Sequence, residues 1–242
     1  MIFKQISIRL VIWYMKNYLV VGGSSGIGKA ISEQLAQQGH HVIVLSKTAA
    51  SSVQTENIEY HNCDITEDLP AFPDAIESLD GIIYCPGTIN LRPFKALKQS
   101  EFLHDLQVNY LGAIKTIQRY IPQLLLGSDP NIILFSTVAT KKGMPFHTSI
   151  AGAKGAVEGL TISLAAEYAP KVRVNAIAPS LTQTPLSDKL LNSEAKILAA
   201  GERHPLKRVG QTSDIVNAAL YLLNASWVTG QIMPVDGGMQ AM

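Results

Sequence analysis

The residues best able to do chemistry lie in the run Val21-Gly22-Gly23-Ser24-Ser25-Gly26-Ile27-Gly28. Glycines let a backbone turn tightly and approach a charged ligand closely. A helix that starts in such a turn presents unpaired N–H groups and the positive end of its dipole. That combination suits a pyrophosphate, and Ser24 and Ser25 add hydroxyl donors. Gly28 lets the helix pack close to the strand before it. An ordinary tight turn could carry the same letters. The context decides for phosphate: an apolar strand, the turn, then a helix, at the start of the fold.

The elements that must hold this turn follow from periodicity. Residues 17–21 form an apolar strand ending in the glycines. Ile27, Ala30, Ile31 and Leu35 then fall at helical spacing, and Gly39 ends that helix. Further strands are expected at 41–45, 58–61, 81–85, 131–135, 172–177 and 231–235. Continuously apolar runs such as 41–45 are what strands buried on both faces need. Helices are expected at 101–126, 151–168 and 212–223, the last with Thr212 as its N-cap. Such alternation predicts a single α/β domain, a doubly wound parallel sheet. Its ligands bind at the carboxyl ends of the strands, near the topological switch point.

Composition narrows the classes. The chain has 242 residues with 47% apolar and 16% charged, which suits one large α/β domain and argues against disorder. A net charge of +1 provides no field for nucleic acid or an anionic membrane, and neither partner is expected. Cys63 and Cys85 have no metal-ligand spacing and form no disulfide framework. They read as small buried strand residues in a reducing cytoplasm, with no metal. Residues 1–14 are apolar and slightly basic, yet too short to span a bilayer. They are expected to be an extension outside the domain of 15–242, a cloning remnant or an overlong start.

The glycine run resembles the T-G-x-x-x-G-x-G signature of the short-chain dehydrogenase/reductase family, with Val21 in place of the threonine. The likeness extends in order from Lys16 onward. Asn62-Cys63-Asp64-Ile65-Thr66 resembles the family's adenine-binding segment. Cys85-Pro86-Gly87 stands where the family has N-A-G, and Val172 to Pro179 resembles its sixth strand. Pro179-Ser180-Leu181-Thr182-Gln183-Thr184 resembles P-G-x-x-x-T. Pro205 to Gly210, Val228 to Gln231 and Val235 to Gly238 match the C-terminal pattern.

The resemblance implies a Rossmann fold and a nicotinamide dinucleotide. Gly22, Ser24, Ser25, Gly26, Ile27 and Gly28 would hold its pyrophosphate, and Asp64 and Ile65 its adenine. Cys85, Pro86 and Gly87, in the place of N-A-G, would also bind the cofactor, and Pro179, Thr182 and Thr184 would reach the nicotinamide end. The second strand ends in Ser46 and Lys47, a hydroxyl and a cation. A carboxylate there would favour NAD(H) and repel a 2′-phosphate. NADP(H) is therefore expected, with NAD(H) the less favoured cofactor.

In the family a tyrosine acts as acid or base, and a lysine four residues later binds the ribose. Spacing of i, i+4 puts both on one helix face. A serine orients the substrate oxygen, and an asparagine supports a water relay. Asn109, Thr137 and Lys154 match the asparagine, serine and lysine positions. The tyrosine position is Ile150, and no tyrosine lies between Tyr120 and Tyr168. His147 is a surrogate acid by its chemistry, or a histidine on the rim of the cleft. Two functions remain open: an oxidoreductase with an altered proton donor, or an inactive relative serving as sensor, scaffold or regulatory subunit. Residues 185–204 mix leucines with charges at amphipathic spacing, a pattern that packs as a lid or against a neighbour, and the resemblance implies a lid over a small-molecule substrate. The small residues Ala151, Gly152, Ala153, Gly155 and Ala156 permit close helix packing, and a homodimer or homotetramer is implied.

Overall fold

Most strands arise where β-branched and other apolar residues run together. The strands are β1 (Asn17–Val21), β2 (His41–Ser46), β3 (Ile58–Asn62), β4 (Gly81–Tyr84), β5 (Asn131–Phe135), β6 (Arg173–Pro179) and β7 (Ile232–Val235). The partly exposed β3 carries Glu59, His61 and Asn62. The structure is a computed structural model that describes residues 15–48, 56–73 and 76–241. The expectation for residues 1–14 falls outside these. All seven strands are parallel, in the order β3-β2-β1-β4-β5-β6-β7. The order reverses beside β1, so the crevice of this doubly wound sheet lies between the ends of β1 and β4.

Side-chain alternation sends each strand into two cores. Leu19, Val21 and Ile43 pack on one face with Ile117 and Tyr120 of α3 (Gly112–Leu124) and Val157 of α4 (Thr148–Tyr168). Tyr18, Val20, Val42 and Val44 pack on the other with Ile31 and Leu35 of α1 (Gly26–Gln37) and Ile215 of α6 (Thr212–Asn224). Each such side chain fully buried contributes about 1.5–3 kcal/mol.

Several details depart from the sequence pattern. The stretch 101–126 is not one helix. It divides into α2 (Gln99–Leu106), a π-helical turn at Gln107–Leu111, and α3. A π-turn inserts one residue and often marks a functional site. Among the described residues no helix stands between β2 and β3 or between β3 and β4. Leu69, Phe72 and Ile76 cover the sheet there instead, and Tyr120 Oη donates to the Pro70 carbonyl at 2.9 Å. The N-cap of α6 is Gln211 rather than Thr212, because Asp214 Oδ2 accepts from the Gln211 N–H at 2.8 Å. The expected lid helix is shorter than its pattern: a 3-10 turn at Pro185–Ser187, then α5 (Glu194–Glu202). Leu190, Leu191 and Ile197 form a small core there, while Leu186 and Leu198 stay exposed. Cys63 and Cys85 each sit one residue beyond a strand end, not within it.

One buried cation joins the sheet to its helix layer. Arg173 at the start of β6 donates to the carbonyls of Leu222, Leu223 and Ala225 at 2.8, 3.1 and 3.0 Å, and pairs with Asp129 at 3.1 Å. The Leu222 and Leu223 carbonyls end α6 and have no helical partner of their own, while that of Ala225 also accepts from the Val228 N–H. Replacing Arg173 with leucine orphans the Leu222 and Leu223 carbonyls. A loss of about 3 kcal/mol in unfolding free energy is expected, read as a fall in the urea midpoint at unchanged slope.

Candidate active site

The glycine turn joins β1 to α1, and its conformation needs glycine at two places. Gly22 and Gly26 have φ of +76° and +54°, in the left-handed region. Gly28 answers a different need: a side chain there would run into the carbonyl of Gly22. Ser25 is the N-cap of α1, and its hydroxyl is not spent on the helix. The loop after β4 closes against the turn, with Pro86 3.2 Å from where a Gly22 side chain would begin. The loop after β6 approaches Gly26 in the same way, with Thr184 at 3.4 Å. These three loops bound an open cleft of about 690 Å³.

The cleft brings together most of the residues singled out from the sequence. Gly22, Ser24, Ser25, Gly26, Ile27, Gly28, Ser46, Lys47, Asp64, Ile65, Cys85, Pro86, Gly87 and Thr184 all line it. Thr182 does not. It is buried, bonds the Ser180 carbonyl at 3.0 Å, and lines a separate cavity of about 120 Å³ behind the β6 loop. Pro179 is partly buried at the end of β6.

At the β2 end three hydroxyls cluster. Ser24 Oγ lies 2.6 Å from Ser46 Oγ and 2.9 Å from Thr48 Oγ1. Thr48 was not legible from the sequence, since only proximity to Ser24 gives it a role. Lys47 is not a free cation here. Its Nζ is 2.6 Å from Asp64 Oδ2. That hydrogen bond, then those from the Thr66 N–H and hydroxyl, hold the Asp64 carboxyl well below the usual carboxylate range.

At the other end, Asn109 and Lys154 converge on Gly87. A side chain added to Gly87 would start 3.4 Å from Asn109 Oδ1 and 3.7 Å from Lys154 Nζ. Lys154 is 8% exposed, and burial lowers its ammonium to about 8. The neighbouring Cys85 thiol is pushed up to about 12 by burial. The π-turn carries Asn109, whose Nδ2 donates to the Asp105 carbonyl at 2.8 Å and to Thr88 Oγ1 at 2.9 Å. Asn109 Oδ1 is buried without a partner.

Two further residues in this cluster, Asp105 and Thr88, were missed from the sequence. Asp105 is fully buried and accepts from Thr88 Oγ1 at 2.6 Å and from Ser149 Oγ. The available signal was a carboxylate one helical turn before Asn109. Ile150 is buried at the start of α4, one turn before Lys154. Thr137 caps a 3-10 turn, its oxygen accepting from the Ala139 N–H at 3.4 Å, which leaves its proton to donate. His147 stands half-buried at the N-cap of α4, with Nδ1 2.7 Å from the Pro145 carbonyl.

Comparison with known proteins identifies the family to which this fold belongs. The family model described as enoyl-(acyl carrier protein) reductase matches residues 21–240. The chain is 32% identical over 238 residues to carbonyl reductase family member 4 of Danio rerio, covering 93% of this chain and 98% of the relative. It is 30% identical over 242 residues to a 3-oxoacyl-[acyl-carrier-protein] reductase of Staphylococcus aureus, covering 93% and 98%. Among solved structures, aldohexose dehydrogenase of Thermoplasma acidophilum superposes with a TM-score of 0.85 at 28% identity, covering 95% and 96%. A 2-deoxy-d-gluconate 3-dehydrogenase of Agrobacterium tumefaciens with bound NADP superposes at 0.84 and 29%, covering 94% and 97%. Parallel order, glycine turn and full-length matches agree, and the chain belongs to the short-chain dehydrogenase/reductase family of oxidoreductases.

Proposed function

We propose that this protein is an NADP(H)-dependent oxidoreductase that interconverts a small carbonyl compound and its alcohol, with an altered proton donor. The observation that carries this reading is the single cleft. It runs from an anion-binding turn at one end to Gly87 at the other, beside which Asn109 Oδ1 and Lys154 Nζ converge. The residues present fit the cofactor: the glycine turn receives the pyrophosphate, and the unpartnered Lys154 Nζ suits ribose hydroxyls. The bound nicotinamide supplies the hydride. The carbonyl reductase and 3-oxoacyl reductase among the relatives support a carbonyl as the reacting group.

The preference for a 2′-phosphate rests on Ser24, Ser46, Thr48 and Lys47, which gather three hydroxyls and a cation at the end of β2. The relative solved with NADP supports it. Lys47→Glu replaces attraction to the phosphate by repulsion. NADPH affinity is expected to fall at least tenfold more than NADH affinity in fluorescence titrations, and equal losses would contradict the assignment.

Ile150 cannot transfer a proton, so turnover is expected to be slow on ordinary ketones. General acid catalysis is worth about 10²–10⁴-fold. Ile150→Tyr should raise NADPH-dependent reduction of diacetyl or ethyl acetoacetate toward that range. Tight NADPH binding with no turnover in either form would instead favour a nucleotide-holding sensor, scaffold or regulatory subunit.

A homodimer or homotetramer is supported by one face of α4. Gly152, Gly155 and Gly159 lie at helical spacing, and a side chain added at any of them would meet nothing. Ile162, on the same face, is 55% exposed. This surface lets a second helix approach closely. Gly155→Arg is expected to give a monomer by light scattering.

A further inference from the structure

Asn109 has two amide protons, and both are committed. One goes to the Asp105 carbonyl and the other to Thr88 Oγ1. Thr88 has one proton, and it goes to the Asp105 carboxylate at 2.6 Å. Its oxygen therefore faces Asn109 as an acceptor. This chain leaves the carboxamide one orientation, with Oδ1 as its only open atom. Oδ1 is buried, unpartnered, and lies beside Gly87, where a side chain added to the glycine would meet both it and Lys154 Nζ. The other oxygen of Asp105 takes the Ser149 hydroxyl, at the first turn of the helix that carries Ile150 and Lys154. Asp105 thus ties three elements together: the loop after β4, the π-turn, and the start of α4.

The catalytic end holds no phenol between Lys154 and the cleft, because position 150 is isoleucine. We propose that Lys154 supplies the proton in place of that phenol, and that Asp105 is the residue that positions it to do so. This rests on the oxidoreductase reading above. A water molecule between Lys154 and Asn109 accepts from Nζ, donates one proton to Oδ1, and keeps its second proton for the cleft. A carbonyl carbon that has gained a hydride leaves its former π pair on oxygen. That oxygen takes the water's free proton, the water regains one from Nζ, and neutral Lys154 is reprotonated by solvent.

The electrostatic surroundings suit this role. The lysine pKa is lowered by burial to about 8, so the acid form is present below that pH and lost above it. Cys85 faces Lys154 from the β4 loop and is neutral at working pH, its thiol being pushed up to about 12. Asp105, from α2, stands behind Asn109. One turn beyond Lys154, Glu158 is engaged by Ser136, Thr140 and Lys141. Thr182 and Thr184 bring no charge from the β6 loop. His147, at the cap of α4, is half-buried and bonded to its own loop.

The test uses the full chain, NADPH, and diacetyl as the carbonyl probe. The reduction rate should fall as pH rises through about 8. In the cofactor-free protein, the ε-carbon resonance of Lys154 should titrate over the same range. Asp105→Leu removes the acceptor for Thr88, so the carboxamide loses its single orientation. A loss of roughly tenfold or more in kcat is expected, with KM for NADPH changed less than about threefold. The Lys154 titration should move lower. Asp105→Asn should restore both, since its carbonyl oxygen still accepts from Thr88 while its amide donates to Ser149. Thr88→Val should reproduce the Asp105→Leu result without placing leucine in a polar site, which guards against a folding failure. The proposal is overturned if Asp105→Leu and Thr88→Val both keep the wild-type pH profile and lysine titration. It is also overturned if His147→Ala abolishes the profile. If the wild type binds NADPH without reducing diacetyl while Ile150→Tyr reduces it, the oxidoreductase reading stands and this inference falls. If neither reduces it, both fall.

Discussion

Parallel pairing of β1 with β2 on one side and β4 on the other is the constraint from which the site follows. Parallel strands cannot be joined by tight hairpins, so each must end in a crossover. The crossovers leaving β1 and β4 diverge, and their loops leave a crevice that neither helix layer fills. The glycine turn, Pro86 and Gly87 occupy its two walls because they are the first residues past those strands. Hydrogen-bond register does the placing: Val21 pairs with Tyr84, so the two loops begin at the same height.

The catalytic end depends on a costlier device. Burying Asp105, Asn109 and Lys154 together incurs a desolvation cost that hydrogen bonds must offset. The offset is nearly complete. Both Asp105 oxygens and both Asn109 amide protons are engaged, and the open positions are Asn109 Oδ1 and Lys154 Nζ. Such economy is typical of polar networks that tolerate burial, and the remaining open atoms point to where a ligand belongs. The π-turn serves the same end. It breaks the regular ladder of the helix and sets Asn109 back toward the carbonyl of Asp105.

Stability and chemistry are drawn from different parts of the chain. The two apolar cores and the Arg173 network fix the sheet and its helices well below the carboxyl ends of the strands. The loops above carry the polar groups. This division lets a position such as 150 hold isoleucine without loss of the fold.

Much of this was legible in the sequence. Unbroken apolar runs marked the strands because parallel strands are buried on both faces, and the glycine turn marked the phosphate end because few other residues fit there. Ile150 and Lys154 could be placed on one helix face by spacing alone. Other features needed the tertiary structure. The π-turn leaves no mark in a 3.6-residue period, so 101–126 read as one helix. Covering of the sheet after β3 by Leu69, Phe72 and Ile76 has no helical signature. Lys47 looked like a free cation until Asp64, seventeen positions on, was brought within 2.6 Å. Thr88, Asp105 and Ser149 are ordinary letters in sequence. They become a network only because three elements distant in the chain meet at one buried point, where a polar group is costly to leave unpaired.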